Sequence, residues 1–146
     1  MAPADVDAIL PAEKELFAAD PPWTAAQFHA ELEGVPETRW YVVAETDSGE
    51  IAGYAGLMAG VDTVDIQTLA VLPRFQRQGL GRSLLSALIV EALRRRVADV
   101  LLEVRADNEP ALELYRKHGF EQIARRRGYY GNGRYDGLVL RRRMIT

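Results

Sequence analysis

The feature that most constrains this chain is a change of hydrophobic period around Pro73. Before it, Trp40-Tyr41-Val42-Val43-Ala44, Ile51 to Leu57 and Thr63 to Leu72 read as three strands, with Asp47-Ser48-Gly49-Glu50 turning between the first two. After it, Leu80, Leu84, Leu88 and Ala92 share one helical face, with Leu85, Ile89 and Leu93 beside them. So broadly apolar a helix has to pack on a sheet. The joint is Leu72-Pro73-Arg74-Phe75-Gln76-Arg77-Gln78-Gly79-Leu80-Gly81-Arg82, a strand end, a basic glycine-bearing loop and a helix start. A strand feeding a helix that packs back on its own sheet commits the chain to a mixed α/β domain.

The remaining segments fit that frame. Val6, Ile9, Leu10, Glu13, Leu16 and Phe17 recur at helical spacing, with Pro11 as an interruption or helix start. Asp20-Pro21-Pro22 breaks the chain, Thr24 is a good N-cap, and Phe28 with Leu32 marks a second short helix ending near Gly34. Gly53 and Gly56 permit close backbone approach within their strand. Arg94-Arg95-Arg96 falls in the last turn of the long helix, where cations favour the negative end of its dipole. Val100 to Val104 is a buried-type strand. Asp107-Asn108-Glu109-Pro110 starts a helix that reaches His118, with Gly119 just past its end. Two strands follow, roughly Phe120–Arg127 and Arg134–Met144, joined by Gly131-Asn132-Gly133. The order is ααβββαβαββ around one central sheet, and 146 residues fit a single domain, 1–146.

Composition removes several kinds of chemistry. There is no cysteine, hence no disulfide, thiolate ligand or cysteine nucleophile. His29 and His118 are too few for a histidine-built metal site, and none is expected. No apolar stretch is long enough to span a membrane, and the N-terminus lacks the basic start and apolar run of a signal peptide, so a cytoplasmic protein is expected. The net charge of -3 conceals a division. Residues 1–73 carry 2 basic and 13 acidic side chains, and residues 74–146 carry 16 and 8. Such asymmetry suggests anionic and cationic partners at different places.

The basic joint suits an anion. Unsatisfied N–H groups at a helix start point outward and the dipole adds attraction. Gly79 and Gly81 remove side chains that would hold a phosphate away, while Arg74, Arg77 and Arg82 supply charge. The Gly-Lys-Ser/Thr ending of a P-loop is absent, and so is the full dinucleotide fingerprint. A pyrophosphate cradle and a plain glycine-containing helix entry both remain open on the loop alone.

Gln76-Arg77-Gln78-Gly79-Leu80-Gly81 resembles the Gln/Arg-x-x-Gly-x-Gly/Ala acetyl-CoA motif of the GCN5-related N-acetyltransferases, the GNAT superfamily. Ile51-Ala52-Gly53-Tyr54 resembles the family's second strand and Leu69-Ala70-Val71-Leu72-Pro73 its splayed fourth strand. Asn108 through Phe120 is similar to its Asn-x-x-Ala-x-x-Leu-Tyr-x-x-x-Gly-Phe element. Together these blocks cover about residues 40–145. Leu102-Glu103-Val104-Arg105-Ala106-Asp107-Asn108 and Arg126-Arg127-Gly128-Tyr129-Tyr130 look like a narrower subgroup, the RimI-type bacterial alanine N-acetyltransferases, which act on a small-subunit ribosomal protein.

The resemblance implies a mixed sheet with a splayed strand pair holding acetyl-CoA, helices on both faces, and direct acetyl transfer to a protein N-terminal amine. It implies Glu103 as general base, directly or through water, and Tyr115 as the acid that protonates the coenzyme sulfur. It further implies cofactor contacts from the backbone of Leu69, Ala70 and Val71, from Gln76, Arg77, Gln78, Gly79, Leu80, Gly81 and Arg82, and from Asn108 to the pantetheine arm. Val71 N–H is the candidate oxyanion donor, and Tyr129 and Tyr130 would line the peptide side. The acceptor would be a basic ribosomal-protein tail, drawn by Glu13, Glu15, Glu31 and Glu33 on the front helices.

Each assignment has a structural counterpart. Glu103 could pair with Arg105, Tyr115 could be a packing aromatic, Asn108 a pure N-cap, and the two tyrosines ordinary hairpin residues. His118 reads as a helix C-terminal residue and His29 as a surface one. Arg125-Arg126-Arg127 and Arg141-Arg142-Arg143 read as solvated strand residues, because alternation splits each triplet between faces, and no direct nucleic-acid binding is expected. A GNAT enzyme acting on lysine or a small amine is the alternative. A non-catalytic acyl-CoA-binding or RNA-interaction module is the alternative from another class.

Overall fold

The computed structural model describes residues 1–17 and 22–144, so the expected break at Asp20-Pro21 lies outside the described residues. A 3₁₀ turn (Pro3–Asp5) leads into α1 (Val6–Leu16), followed by α2 (Ala25–Glu33), β1 (Arg39–Glu45), β2 (Ile51–Ala59) and β3 (Thr63–Val71). A second 3₁₀ turn (Pro73–Phe75) precedes α3 (Leu80–Arg94), then β4 (Asp99–Arg105), α4 (Glu109–Lys117), β5 (Glu121–Tyr130) and β6 (Tyr135–Arg143). The strands form one mixed sheet in the order β1-β2-β3-β4-β6-β5. This is the α/β architecture expected from the sequence.

All neighbouring strands are antiparallel except β3 and β4, whose parallel pairing covers Thr63↔Asp99, Val64↔Val100 and Asp65↔Leu101. α3 is the crossover between them, as a parallel pair requires. Its apolar stripe, Leu84, Leu85, Leu88, Ile89 and Ala92, is buried with Leu57, Val64, Val100 and Leu102. A second cluster joins the front helices to the sheet through Val6, Ile9, Phe28, Ile51, Tyr54 and Ala70. The helices thus cover the sheet in two separate apolar layers.

Local details refine the sequence reading. Thr24 caps α2 through a reciprocal box: Gln27 N–H donates to Thr24 Oγ1 (3.2 Å) and Thr24 N–H donates to Gln27 Oε1 (2.8 Å). Pro11 neither starts nor interrupts α1 but lies inside it, flanked by buried Ile9 and Ala12. Packing of that face outweighs the one backbone bond a proline removes. Arg94 and Arg95 do more than favour a dipole, since both bond the buried Glu91. Arg95 also donates to the carbonyls of Pro36 (2.6 Å) and Glu37 (2.9 Å), fixing the approach to β1.

Gly56 corrects the expectation of backbone approach, because a side chain fills the space. A Cβ there would fall within the ring of Tyr41, whereas one at Gly53 would meet the Ala70 carbonyl and Leu84. Gly56→Ala is therefore expected to cost about 1–3 kcal/mol through overpacking. Urea unfolding checks this, and Ala52→Gly on the same strand should not reproduce the loss through displacement of Tyr41.

Candidate active site

The site begins where β3 and β4 stop pairing, after Asp65 and Leu101. Leu72 N–H donates to Ala52 O at 2.9 Å, which sets the alternation of the β2–β3 ladder. Ala70, paired with Tyr54, spends its backbone groups on β2, while Leu69 and Val71 direct theirs to the opposite side. Of the three expected contacts, Leu69 and Val71 thus turn their backbone groups to the cleft side, where the Val71 carbonyl is taken by Gln76, and Ala70 holds them in place. Below that edge lies a cavity of about 300 Å³, bordered by Leu69 on β3, Glu103 on β4, and Asn108, Leu114 and Tyr115 at α4.

The basic loop lies beside this cavity. Gln76 Nε2 donates to Val71 O (3.1 Å), folding the loop back on the strand. Arg77 (φ 65°) and Gly79 (φ 81°) are both left-handed, and Gly79 is the N-cap of α3. The first helical bond runs from Ser83 N–H to Gly79 O (3.1 Å), so the N–H groups of Leu80, Gly81 and Arg82 point out of the helix. No atom lies within 4 Å of where a Gly79 Cβ would sit, and one at Gly81 would touch only Leu114. Because Leu114 also borders the cavity, the open helix end and the cavity adjoin. Arg74 is already engaged, with Glu50 as ion-pair partner and Phe75 beneath its guanidinium (4.8 Å). Among the described residues no ion pair involves Arg77 or Arg82.

α4 contributes two groups. Asn108 caps the helix, accepting from Ala111 N–H at 3.3 Å, which leaves its amide nitrogen for another partner. Tyr115 is 7% exposed and meets Phe120 edge-on at 5.7 Å. Burial, with a smaller contribution from Tyr130, pushes its phenol up to about 12.

A second cavity, about 580 Å³, adjoins the first along Leu102 and Glu103 and is bordered by Trp23, Asp65, Glu103, Arg126, Tyr129 and Tyr130. Glu103 borders both cavities. It pairs with Arg126 (3.1 Å) and not with Arg105, which instead forks onto Asp107 (2.8 and 3.0 Å) and lies over the Tyr135 ring (3.8 Å). Burial raises the Asp65 carboxyl above its ordinary range.

The hairpin shows why alternation misjudged the arginines. β5 loses register between Arg126 and Tyr130, where Gly128 is left-handed (φ 59°) and donates its N–H to Asp136 (2.9 Å). This irregularity lets consecutive Tyr129 and Tyr130 border one cavity, their rings edge to face at 4.9 Å. Arg125 bonds Asp136 (2.6 Å), Arg126 bonds Glu103, and Arg142 bonds His118 O (2.6 Å), so these are engaged and not merely solvated.

Two expectations about the front half also change. Glu13 is 4% exposed and accepts from Tyr54 OH (2.8 Å) and Trp23 N–H (3.0 Å); Glu31 accepts from Arg39 (2.8 Å) and Tyr41 OH (2.8 Å). Only Glu15 and Glu33 of the four are exposed, because burial turns the other two inward. Glu13, Trp23 and Arg126 are the site residues the sequence reading missed. The signal for Glu13 was its place in an otherwise apolar helical set. His118 ends α4 with Nδ1 2.9 Å from Leu114 O, and His29 is exposed. Among the described residues no cluster of His, Cys, Asp or Glu could hold a metal ion, and no helix is long and apolar enough to cross a membrane.

A splayed parallel pair opens on a cavity, with an open helix start at its mouth and a carboxylate and a phenol at its border. The acetyltransferase (GNAT) family model matches residues 6–120, and the chain belongs to that family of N-acetyltransferases, which use acetyl-CoA. An N-alpha-acetyltransferase RimI of Mycobacterium tuberculosis is 37% identical over 143 residues, covering 95% of this chain and 87% of that one. A Mycobacterium leprae protein is 38% identical over 146 residues, and this chain, 97% covered, spans only 39% of its length. The crystal structure of the ribosomal-protein-S18-alanine N-acetyltransferase from Escherichia coli superposes with a TM-score of 0.86 at 32% identity, covering 100% of this chain and 92% of that one.

The phenol has a consequence for alkaline stability. With folded Tyr115 near 12 and an unfolded value of 10.0, the unfolded chain releases its proton first. Stability from this group is full below pH 10 and is lost as pH rises through 12. Tyr115→Phe should flatten that part of a stability–pH profile measured by urea unfolding, and an unaltered slope would contradict it.

Proposed function

We propose that this chain acetylates the α-amine of a protein N-terminus, alanine first, with acetyl-CoA as cosubstrate and Glu103 and Tyr115 as base and acid. The observation that carries this reading is the position of Glu103, at the border of both cavities, with Tyr115 in one and the tyrosine pair in the other. The activities for which the relatives are named, N-terminal and ribosomal-protein acetylation, support it.

The residues fit the cosubstrate by chemistry. The outward N–H groups of α3, the space at Gly79 and the charges of Arg77 and Arg82 suit a pyrophosphate. The exposed edge of Leu69 and Val71 suits a chain of amides, which would pair there like an added strand, and the spare Asn108 nitrogen suits a carbonyl. Acetyl-CoA would supply the acyl thioester. An α-amine has a pKa of about 7.7–8.0, so the ammonium must lose one proton before it attacks. Glu103 would take that proton directly or through one water, and the C–N bond would form from the neutral amine. Val71 N–H would polarise the carbonyl; the Tyr115 hydroxyl, neutral at physiological pH, would give its proton to sulfur as the C–S bond breaks, and the second proton of the acceptor nitrogen would leave through water to restore the phenol. With no cysteine in the chain, transfer is direct.

Glu103→Gln should lower kcat on an alanine-first peptide by about 100-fold with acetyl-CoA affinity unchanged, and Tyr115→Phe should slow transfer similarly. Mass spectrometry of a peptide panel against lysine peptides, free amino acids and polyamines tests the acceptor. Preferential turnover of lysine or free amines would replace this reading by the small-amine or lysine one, and binding without any turnover by the acyl-CoA-binding module. Separately, Gly79→Asp combines a strained left-handed residue with a carboxylate at the phosphate site. It should weaken acetyl-CoA binding by at least about tenfold in calorimetry, while Gly79→Ala should cost less.

A further inference from the structure

Glu13 has no part in the proposed chemistry, yet it is a buried carboxylate at the edge of the cavity. It closes a ring of contacts. Its Oε1 accepts from Tyr54 OH and its Oε2 from Trp23 N–H. The Tyr54 ring stands edge-on to Phe28 (6.0 Å, 83°), and Phe28 packs against the Trp23 ring (5.1 Å, 56°). The circuit thus returns to Trp23, gripped by its backbone through Glu13 and by its indole through Phe28. Thr24, the next residue, is fixed by the capping box of α2.

Trp23 borders both cavities, as do Ile66, Gln67 and Leu102 of the strands, Glu103 and Tyr130. A charged side chain taken out of water is tolerated only when its oxygens are bonded, and here both bonds serve to locate this segment. An apolar residue at position 13 would bury as well but could not hold an N–H.

We propose that Glu13 is a positioning residue for acceptor selection: by holding the Trp23 N–H it fixes the indole as a wall of the acceptor cavity, limiting the first acceptor residue to a small side chain. This rests on the proposed reading of that cavity as the acceptor site. Glu13 borders the cavity with both carboxylate oxygens already bonded to the protein, and it acts through Trp23. Releasing the wall should admit bulkier first residues while leaving the α3 phosphate site undisturbed.

The test is a double-mutant cycle on selectivity, the ratio of kcat/KM for alanine-first over leucine-first peptides of otherwise identical sequence. Glu13→Leu, which cannot accept the Trp23 N–H, should lower that ratio about tenfold, chiefly through KM, with acetyl-CoA KM unchanged, whereas Glu13→Gln, whose amide oxygen still accepts it, should keep the ratio. Trp23→Ala should lower it as far, and adding Glu13→Leu to Trp23→Ala should change it no further. An equal effect of Glu13→Leu in both backgrounds, or an equal rise in acetyl-CoA KM, would reduce Glu13 to a residue that merely stabilises the fold and overturn the proposal. A second readout needs no turnover. In the Trp40→Phe protein, Trp23 is the remaining tryptophan, and Glu13→Leu should raise its quenching by acrylamide. Unchanged quenching overturns the proposal even if no peptide is acetylated, whereas peptide inactivity of the wild type with raised quenching overturns only the acceptor reading.

Discussion

After Asp65 and Leu101 the two parallel strands share no further ladder hydrogen bonds, and the rest of the site depends on that parting. A sheet that continued would bury the Leu69 and Val71 backbone groups in a longer β3–β4 ladder and leave no cavity between β3 and Glu103. Parallel pairing demands a crossover, and α3 is that crossover, so its N-terminus is delivered to the mouth of the gap by the same topology that opens it. An exposed strand edge is ordinarily a liability for unwanted pairing. Here it lies inside a cleft, walled by α4 and the β5–β6 hairpin, where another protein's strand has no access.

The loop that enters α3 is set in shape by its own chain. Gln76 ties it to Val71, Gly79 supplies a left-handed N-cap, and Leu114 seats the helix start against α4. Arg77 adopts the left-handed region without being glycine, a conformation that the bonds on either side must sustain. Such a loop loses little further freedom when an anion arrives, which favours tight binding from a modest contact area.

Much of this was legible in the sequence, and what was not has physical causes. The change of period at Pro73, the Thr24 cap and the Asn108-Glu109-Pro110 start give α2, α3, α4 and the strands within a residue or two, because each is a local signal, except that β5 runs on three residues past Arg127 to Tyr130. The glycine-bearing joint and the positions of Glu103 and Tyr115 carried over through local motifs as well. Local signals fail where a contact is long-range. Glu13 meets Tyr54, 41 residues on, and its burial cannot be read from charge; Glu31 meets Tyr41 in the same way. Arg126 escaped because period-two alternation assumes an unbroken strand, and the left-handed Gly128 breaks it. The charge division of the chain proved least informative. Folding turns Glu13 and Glu31 inward onto Tyr54 and Tyr41 and pairs Arg74 with Glu50, while Arg77 and Arg82 stay exposed beside the open helix start.

The ion pair between Glu103 and Arg126 bears on how an amine is admitted. On the proposed reading the carboxylate is never bare. A guanidinium already stands where the acceptor's ammonium would come, and the newcomer takes over its place. The exchange trades one cation for another, so the local charge hardly changes and attraction to the carboxylate discriminates weakly. Selection then falls to what a flat guanidinium cannot imitate, a single tetrahedral nitrogen followed at once by a side chain and a peptide bond. The outgoing arginine, with Tyr129 5.2 Å from its guanidinium carbon, has a second resting place within reach. Admission to this site is therefore a substitution between guests of equal charge, decided by shape.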